Sequence, residues 1–168
     1  EPLRAVLAAV SQLVDQVPDI EVVLPAHPNP LVRTVVHEVL GDRPRVHVVE
    51  PLHYASFMAH LAVATLVLSD SGGVQEEAPA FGVPVLVLRD TTERPEAVRA
   101  GSAELVGTHR DTIVERAVRL LLDELARQAM AQVANPFGDG SSGRRTVEAV
   151  SWLVAGGIRP ASWTPQAG

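Results

Sequence analysis

Two adjacent glycines, Gly72 and Gly73, follow an apolar stretch and precede a helical pattern. The run Thr65–Leu68 predicts a buried strand, and a short helix is expected from Val74 onward. The start of a helix presents unpaired N–H groups and a partial positive charge, and glycines allow close backbone approach. Together with the Ser71 hydroxyl, this arrangement is suited to binding a phosphate. The alternative is a plain strand-to-helix turn, which any parallel α/β protein contains.

An acidic side chain, Glu77, lies one helical turn after Gly73 and on the same helix face. Its carboxylate would repel a phosphate oxygen, but it can accept hydrogen bonds from a pair of sugar hydroxyls, as acidic residues do for ribose in dinucleotide sites. Alternatively, Glu77 is a solvated residue that interacts favourably with the helix dipole. The spacing alone favours this second interpretation.

Phe57 and Arg94 are two further candidates for ligand contact. Phe57 lies on the helix before the central strand, where an aromatic ring can stack on a base, although a core position is the more common fate of such a residue. Arg94 ends the polar segment Arg89–Arg94 and has the geometry to bind a phosphate with two hydrogen bonds. A surface ion pair with Glu93 or Glu96 is the alternative for Arg94.

The six histidines form no spacing typical of a metal site. His53 and His60 are seven positions apart and fall on one helix face, but no carboxylate near them completes a set of ligands. His27 is the histidine of interest, because the rigid turn Pro25–Pro30 holds it after a predicted strand. No Ser–His–Asp arrangement is apparent. We therefore expect no bound metal in this chain.

Composition limits the possible functions. The 168 residues carry a net charge of −6, 4% aromatic residues and no Cys. This acidic balance gives no electrostatic basis for nucleic-acid binding, and the missing Cys excludes disulfides and thiolate chemistry. Lys is also absent, which excludes a Schiff-base lysine and a Walker-type lysine. The apolar runs are too short to cross a membrane, so we expect no membrane partner and a cytoplasmic protein.

The elements that must position these residues alternate between helix and strand about five times. Helices are expected at 3–17, 31–40, 53–62, 74–81, 95 onward, 111–123, 125–133 and 142–154, and strands at 20–24, 45–49, 65–68, 84–88 and 103–106. Asn29 is expected to cap a helix that has Pro30 at its first position, and Pro79 is expected to kink or end another. This order predicts an α/β fold with a parallel sheet covered by helices on both faces. Ligands of such sheets bind beyond the carboxyl ends of the strands, where the segments containing His27, Ser71 and Arg94 should meet.

Three long motifs in this sequence closely resemble those of the non-hydrolysing UDP-N-acetylglucosamine 2-epimerases. The motifs are Asp70–Pro79 (DSGGVQEEAP), Arg89–Glu96 (RDTTERPE) and Asn135–Gly140 (NPFGDG), and the shorter His27–Pro30 and Pro51–Phe57 segments fit the same pattern. The similarity extends from the start of the chain to about Val154. It implies a Rossmann-like domain, residues 1–154, that is the carboxyl-terminal half of a glycosyltransferase B-type enzyme, followed by an irregular tail, residues 155–168.

The resemblance also implies a role for each candidate residue, with no cofactor. Ser71, Gly72 and Gly73 would hold the diphosphate of UDP or UDP-N-acetylglucosamine, and Glu77 would bind the ribose hydroxyls. The remaining contacts would come from Phe57 with the uracil ring, the backbone near Leu52 with the uracil edge, Arg94 beside the sugar phosphate, and His27 with a second, activating nucleotide sugar. For Glu77 and Phe57, these roles reverse what spacing alone favours.

In this family, UDP-N-acetylglucosamine and UDP-N-acetylmannosamine are interconverted in two steps. UDP is first eliminated, which leaves 2-acetamidoglucal, and UDP is then added again with the configuration at C2 inverted. Proton transfer at C2 needs acid and base groups, and the departing diphosphate needs electrostatic stabilisation. The resemblance places the acid and base carboxylates in an amino-terminal domain that this sequence lacks, together with a His-Arg-x-Glu-Asn motif expected just before Glu1. We therefore expect the chain alone to bind UDP weakly and not to epimerise, and the full-length enzyme to be a homodimer.

Two other functions remain open at this stage. The donor-binding half of a glycosyltransferase B-type transferase has a similar glycine turn and ribose-binding Glu. A non-catalytic nucleotide-sugar-binding module is also compatible with a half-domain. The Arg89–Glu96 and Asn135–Gly140 motifs favour the epimerase.

Overall fold

The architecture was analysed in a computed structural model that describes residues 2–164. In chain order the elements are α1 (Pro2–Gln16), β1 (Val22–Pro25), α2 (Pro30–Leu40), β2 (Val46–Val49), α3 (Tyr54–Val63), β3 (Val67–Ser69), α4 (Gly72–Glu77), a 3₁₀ turn (Ala78–Phe81), β4 (Val85–Val87), α5 (Pro95–Ala100), β5 (Ala103–Leu105), α6 (Arg110–Leu122), α7 (Glu124–Ala131) and α8 (Ser142–Ala155). The predicted alternation of strands and helices is confirmed.

All strand pairs between residues 2 and 164 are parallel, but hydrogen bonds group them into two sheets instead of one. β1 pairs with β2, and β3, β4 and β5 pair in that order. The parallel sheet of the predicted α/β fold is thus present as these two hydrogen-bonded groups. The two groups nevertheless share a core, because Ile20, just before β1, packs into the same apolar cluster as Leu66 and Leu68.

Strand β4 is the centre of the larger sheet, and its side chains are fully buried on both faces. Leu86 packs into a cluster with residues of α1 and α6, whereas Val85 and Val87 pack into a cluster with residues of α3, α4 and α5. This is the alternation of a strand between two helical layers, and it explains its continuous apolar sequence. Helices therefore cover both faces of this sheet, as predicted.

The local chemistry of several helix ends follows the sequence. Asn29 caps α2 by accepting a hydrogen bond from the N–H of Leu31. The α-helix that contains the glycine motif ends at Glu77, before Pro79, and continues as a 3₁₀ turn that Gly82 ends in a left-handed conformation. Ser141 occupies the N-cap position of α8, but its side chain makes no capping bond.

The segment after α8 has neither helix nor strand between Gly156 and Thr164. It folds back on α8, since the guanidinium of Arg145 lies 5.7 Å from the ring centroid of Trp163 and that of Arg159 lies 5.6 Å from Trp152. The last four residues of the predicted tail lie outside the described residues. Among residues 2–164, no helix is both long and apolar enough to cross a membrane.

Candidate functional site

The glycine turn, residues 69–74, lies where β3 gives way to α4. Ser71 has an extended conformation at the N-cap, and its N–H donates to the Ser69 hydroxyl at 3.1 Å. The next three amides, those of Gly72, Gly73 and Val74, have no hydrogen-bond acceptor within residues 2–164. The first intrahelical bond is that from the Gln75 N–H to the Ser71 carbonyl. Three consecutive N–H groups are thus available to an anion.

One structural expectation for the glycines needs correction. Gly72 and Gly73 form the first turn of α4 instead of preceding the helix, and neither has a positive φ. Their backbone angles are therefore open to any residue. A side chain at either position would instead fill the space next to the unpaired amides of the turn. The small size of glycine therefore matters more here than its conformational freedom.

Arg94 meets the glycine turn from the loop after β4. Its Cζ lies 4.0 Å from the position that a Cβ on Gly72 would occupy. Its Nε pairs with the carboxylate of Glu76, and its Nη1 donates to the Glu93 carbonyl at 3.2 Å. The structure thus brings Ser71, Gly72 and Arg94 together, as expected for the ends of neighbouring parallel strands.

The carboxylate partner of Arg94 also differs from those considered on the basis of the sequence. The alternative considered for this side chain was an ion pair with Glu93 or Glu96, but its carboxylate partner is Glu76 of α4. The carboxylate of Glu93 instead binds Arg89 at 2.6 Å, and this hydrogen bond lowers the pKa of Glu93. The Glu76–Arg94 pair connects two segments that are far apart in sequence, so it orients the guanidinium relative to the glycine turn.

Two residues that sequence analysis did not single out also join these segments. Gln75 is fully buried, donates to the Ser71 carbonyl at 3.2 Å and accepts from the Thr92 hydroxyl at 2.6 Å. Thr92 in turn accepts from the Arg94 N–H at 3.0 Å. One signal in the sequence could have identified Gln75: it is an uncharged polar residue that directly follows Val74 in a short helix.

Glu77 lies at the end of α4, beside the exposed side chain of Tyr54 at the start of α3. Hydrogen bonding to the Glu77 carboxylate, with a smaller Coulombic contribution, raises the pKa of the Tyr54 phenol. The Glu77 carboxylate therefore lies close to one hydroxyl group of this protein, and a carboxylate accepts hydrogen bonds from hydroxyls.

The two candidates for base contact are Leu52, between β2 and α3, and Phe57, in the first turn of α3. Phe57 is half-buried and packs against the apolar cluster on the α3–α5 side of β4. Leu52 lies outside any regular element, and its backbone N–H and C=O have no partner among the described residues. Phe57 therefore combines a core contact with a partly exposed ring, and Leu52 has free backbone groups of the kind that bind a base edge.

His27 is exposed in the turn after β1, which belongs to the smaller sheet. Its ring Nδ1 accepts a hydrogen bond from the Asn29 N–H at 3.2 Å. With Nδ1 engaged in this bond, Nε2 is the ring nitrogen that remains for an external contact. His27 is thus positioned by its own turn, and this turn makes no hydrogen bond to the glycine turn or to Arg94.

The third motif, Asn135–Gly140, has a structural function in this arrangement. Phe137 packs against the same apolar cluster as Phe57, and Asn135 accepts a hydrogen bond from the Phe137 N–H at 3.0 Å. Asp139 binds Arg145 through two hydrogen bonds of 2.7 Å, which hold the pKa of Asp139 well below its ordinary value. The motif therefore connects the apolar cluster, through Phe137, with the start of α8, through Asp139.

Comparison with known proteins agrees with this geometry. A family model described as UDP-N-acetylglucosamine 2-epimerase matches residues 1–151. This chain belongs to that epimerase family. The UDP-N-acetylglucosamine 2-epimerase of Bacillus subtilis is 48% identical over 148 residues, which cover 88% of this chain and 39% of the relative.

Solved structures of family members have the same fold. A Staphylococcus aureus MnaA–UDP structure superposes with a TM-score of 0.92 at 37% identity, covering 97% of this chain and 45% of that protein. The Neisseria meningitidis UDP-GlcNAc 2-epimerase bound to UDP-GlcNAc gives a TM-score of 0.85 at 40% identity over 89% of this chain and 40% of its own. The predicted family and the Rossmann-like α/β fold are confirmed. This chain spans about two fifths of the length of the curated relatives that it matches.

Proposed function

We propose that this chain is the UDP-binding half of a non-hydrolysing UDP-N-acetylglucosamine 2-epimerase of the glycosyltransferase B type. In this proposal residues 1–154 form the nucleotide-sugar-binding domain and residues 155–168 a tail. The observation that carries it is the set of three unpaired amides at Gly72, Gly73 and Val74, with the Arg94 guanidinium next to them. Consecutive N–H groups beside an arginine form a site for a diphosphate.

The other contacts of UDP follow from the same placement. The Glu77 carboxylate, at the end of the same helix, accepts hydrogen bonds from both ribose hydroxyls. The half-exposed ring of Phe57 stacks on uracil, and the free backbone groups of Leu52 bind its edge. His27 contacts a second, activating nucleotide sugar through Nε2, the ring nitrogen that remains for an external contact.

In the reaction, this half holds the leaving group and does not transfer the protons. Elimination of UDP concentrates negative charge on the diphosphate, which the glycine-turn amides and Arg94 stabilise. The C2 proton is removed and returned by acid and base groups of an amino-terminal domain. The complete enzyme is an isomerase that works as a cytoplasmic homodimer without a cofactor.

Titration of the ¹⁵N-labelled chain with UDP tests the binding part of this proposal. Amide resonances of Gly72, Gly73 and Val74 should shift in a saturable manner, even if the dissociation constant is in the millimolar range. Uridine should shift them less, because it has no phosphate. If UDP leaves these three amides unmoved at saturating concentration, the proposed site is wrong.

The catalytic part of the proposal is tested together with an amino-terminal domain. We expect the chain alone to form no UDP-N-acetylmannosamine from UDP-N-acetylglucosamine. Fused to the amino-terminal part of the Bacillus subtilis relative, it should incorporate deuterium at C2 in deuterated water. Transfer of the sugar to an acceptor without deuterium at C2 would indicate a transferase, and binding without either reaction would indicate a non-catalytic module.

A further inference from the structure

The buried amide of Gln75 links the two segments that form the candidate diphosphate site. Its Nε2 donates to the Ser71 carbonyl at 3.2 Å, and its Oε1 accepts from the Thr92 hydroxyl at 2.6 Å. The same hydroxyl oxygen accepts from the Arg94 N–H at 3.0 Å. Three hydrogen bonds therefore run without interruption from the turn after β3 to the loop after β4.

Stability alone does not explain a polar side chain in this position. Gln75 is 0% exposed, and its helical neighbours Val74 and Ala78 belong to an apolar cluster. Burying an amide is unfavourable unless its hydrogen bonds are satisfied, and satisfying them returns little net free energy. What a satisfied buried network does provide is a fixed relative position for the groups that it joins.

The groups joined here are the ones that would contact a diphosphate. The bond to the Ser71 carbonyl fixes the peptide that leads into the free amides of Gly72 and Gly73. The bond from the Arg94 N–H to the Thr92 hydroxyl oxygen fixes the backbone from which the guanidinium extends. On the more exposed side, the Glu76–Arg94 ion pair connects the same two segments through side chains.

We propose that Gln75 and Thr92 are positioning residues for the diphosphate, which set the distance between the glycine-turn amides and Arg94. This inference depends on the proposed function, because it assumes that UDP binds at the glycine turn. Neither residue contacts the ligand. Their loss should weaken the phosphate contacts and leave the nucleoside contacts at Phe57 and Glu77 intact.

Thr92→Val tests the relay, since valine has nearly the same shape and no hydroxyl. UDP and uridine affinities are measured by ¹⁵N titration, alongside the thermal unfolding midpoint. We expect UDP to bind about tenfold more weakly, because one well-aligned hydrogen bond to a charged group is lost. The affinity for uridine should not change. Thr92→Ser keeps the hydroxyl and should restore UDP affinity, and Thr91→Val, at the exposed neighbouring threonine, is the matched control.

Gln75→Met provides a second variant that does not depend on the folding of Thr92→Val. Methionine fills a similar volume without strong hydrogen-bonding groups, so the apolar cluster should be retained or improved. UDP should again bind about tenfold more weakly, and the double variant should bind no more weakly than either single one, because both act through one relay.

The outcomes separate this inference from the proposed function. If the unmodified chain binds UDP and both variants bind it equally well, the positioning role is refuted and the UDP site stands. If UDP and uridine affinities fall together with the unfolding midpoint, the relay is merely structural and the inference is also refuted. If the unmodified chain shifts no glycine-turn amide with UDP, both proposals fail.

Discussion

Gly73→Ala should separate stability from ligand binding at the glycine turn. Gly73 is in the first turn of α4 with an ordinary backbone conformation, and an added Cβ would meet the Ser71 hydroxyl oxygen at 3.8 Å, an ordinary contact. The unliganded fold therefore has room for the methyl group. Because alanine is a better helix former than glycine, the free energy of unfolding should stay constant or rise, by up to about 1 kcal/mol.

Ligand affinity should change in the opposite direction. The methyl group would stand beside the free amides of Gly72 and Gly73, in the space that the phosphate oxygens need. Loss of one hydrogen bond to a charged group costs about 1.5–3 kcal/mol, which corresponds to roughly 10–150-fold weaker UDP binding. A more stable protein that binds UDP less well is the expected result.

Thermal unfolding and ¹⁵N-detected UDP titration of the same samples measure both quantities. Gly143→Ala is the matched control, because Gly143 is also the second residue of a helix, has no positive φ and has open space where the Cβ would lie. It should show the same stability change with unaltered UDP affinity. Undiminished UDP binding by Gly73→Ala would refute the argument that the ligand approaches this backbone.

Three further variants test other parts of the structure. Glu77→Gln should weaken UDP binding by about tenfold, which is the effect of losing one charge-assisted hydrogen bond. The affinity for 2′,3′-dideoxy-UDP, which lacks the ribose hydroxyls, should stay unchanged. Equal losses for both ligands would exclude a ribose contact. Leu86→Ala, at a fully buried side chain of β4, should lower the free energy of unfolding by about 2–5 kcal/mol in denaturant titration, and a value near zero would contradict its central place in the core. Asp139→Asn should lower the unfolding midpoint at pH 7, because the bond to Arg145 depresses the pKa of Asp139 from its ordinary value of 3.8. That stabilisation is fully present above pH 3.8 and is lost as the pH falls through the depressed folded-state pKa, so the two midpoints should converge in acid; a difference that grows in acid would refute this.

Features that depend on nearby residues were predictable from the sequence. The Asn29 cap and the end of the α-helix before Pro79 each depend on a few adjacent positions, and both are present. The apolar run of β4 required burial on both faces, and the structure provides it. The α/β class followed from the order of such local elements.

Contacts between distant segments were not predictable in the same way. The candidates considered for Arg94 were the glutamates beside it in sequence, but its carboxylate partner lies on α4, before β4. The relay from Gln75 to Thr92 joins residues seventeen positions apart, and only the parallel pairing of β3 with β4 brings them together. The assignment of the strands to two sheets likewise depends on hydrogen bonds that composition and periodicity do not encode.

The charges around the glycine turn assign the proposed affinity for an anion mainly to its amides. Arg94 is the cation next to Gly72, and the carboxylate of Glu76 already neutralises it, while Glu77 adds a negative charge at the other end of the same short helix. The formal charge of these three side chains is −1, and Asp70 within the turn brings the total to −2, in a chain whose net charge is −6. Peptide dipoles attract a phosphate without adding a counter-charge that the acidic neighbours would cancel. With this balance we expect the chain to bind UDP weakly by itself, and tight binding would require positive charge from the proposed amino-terminal domain.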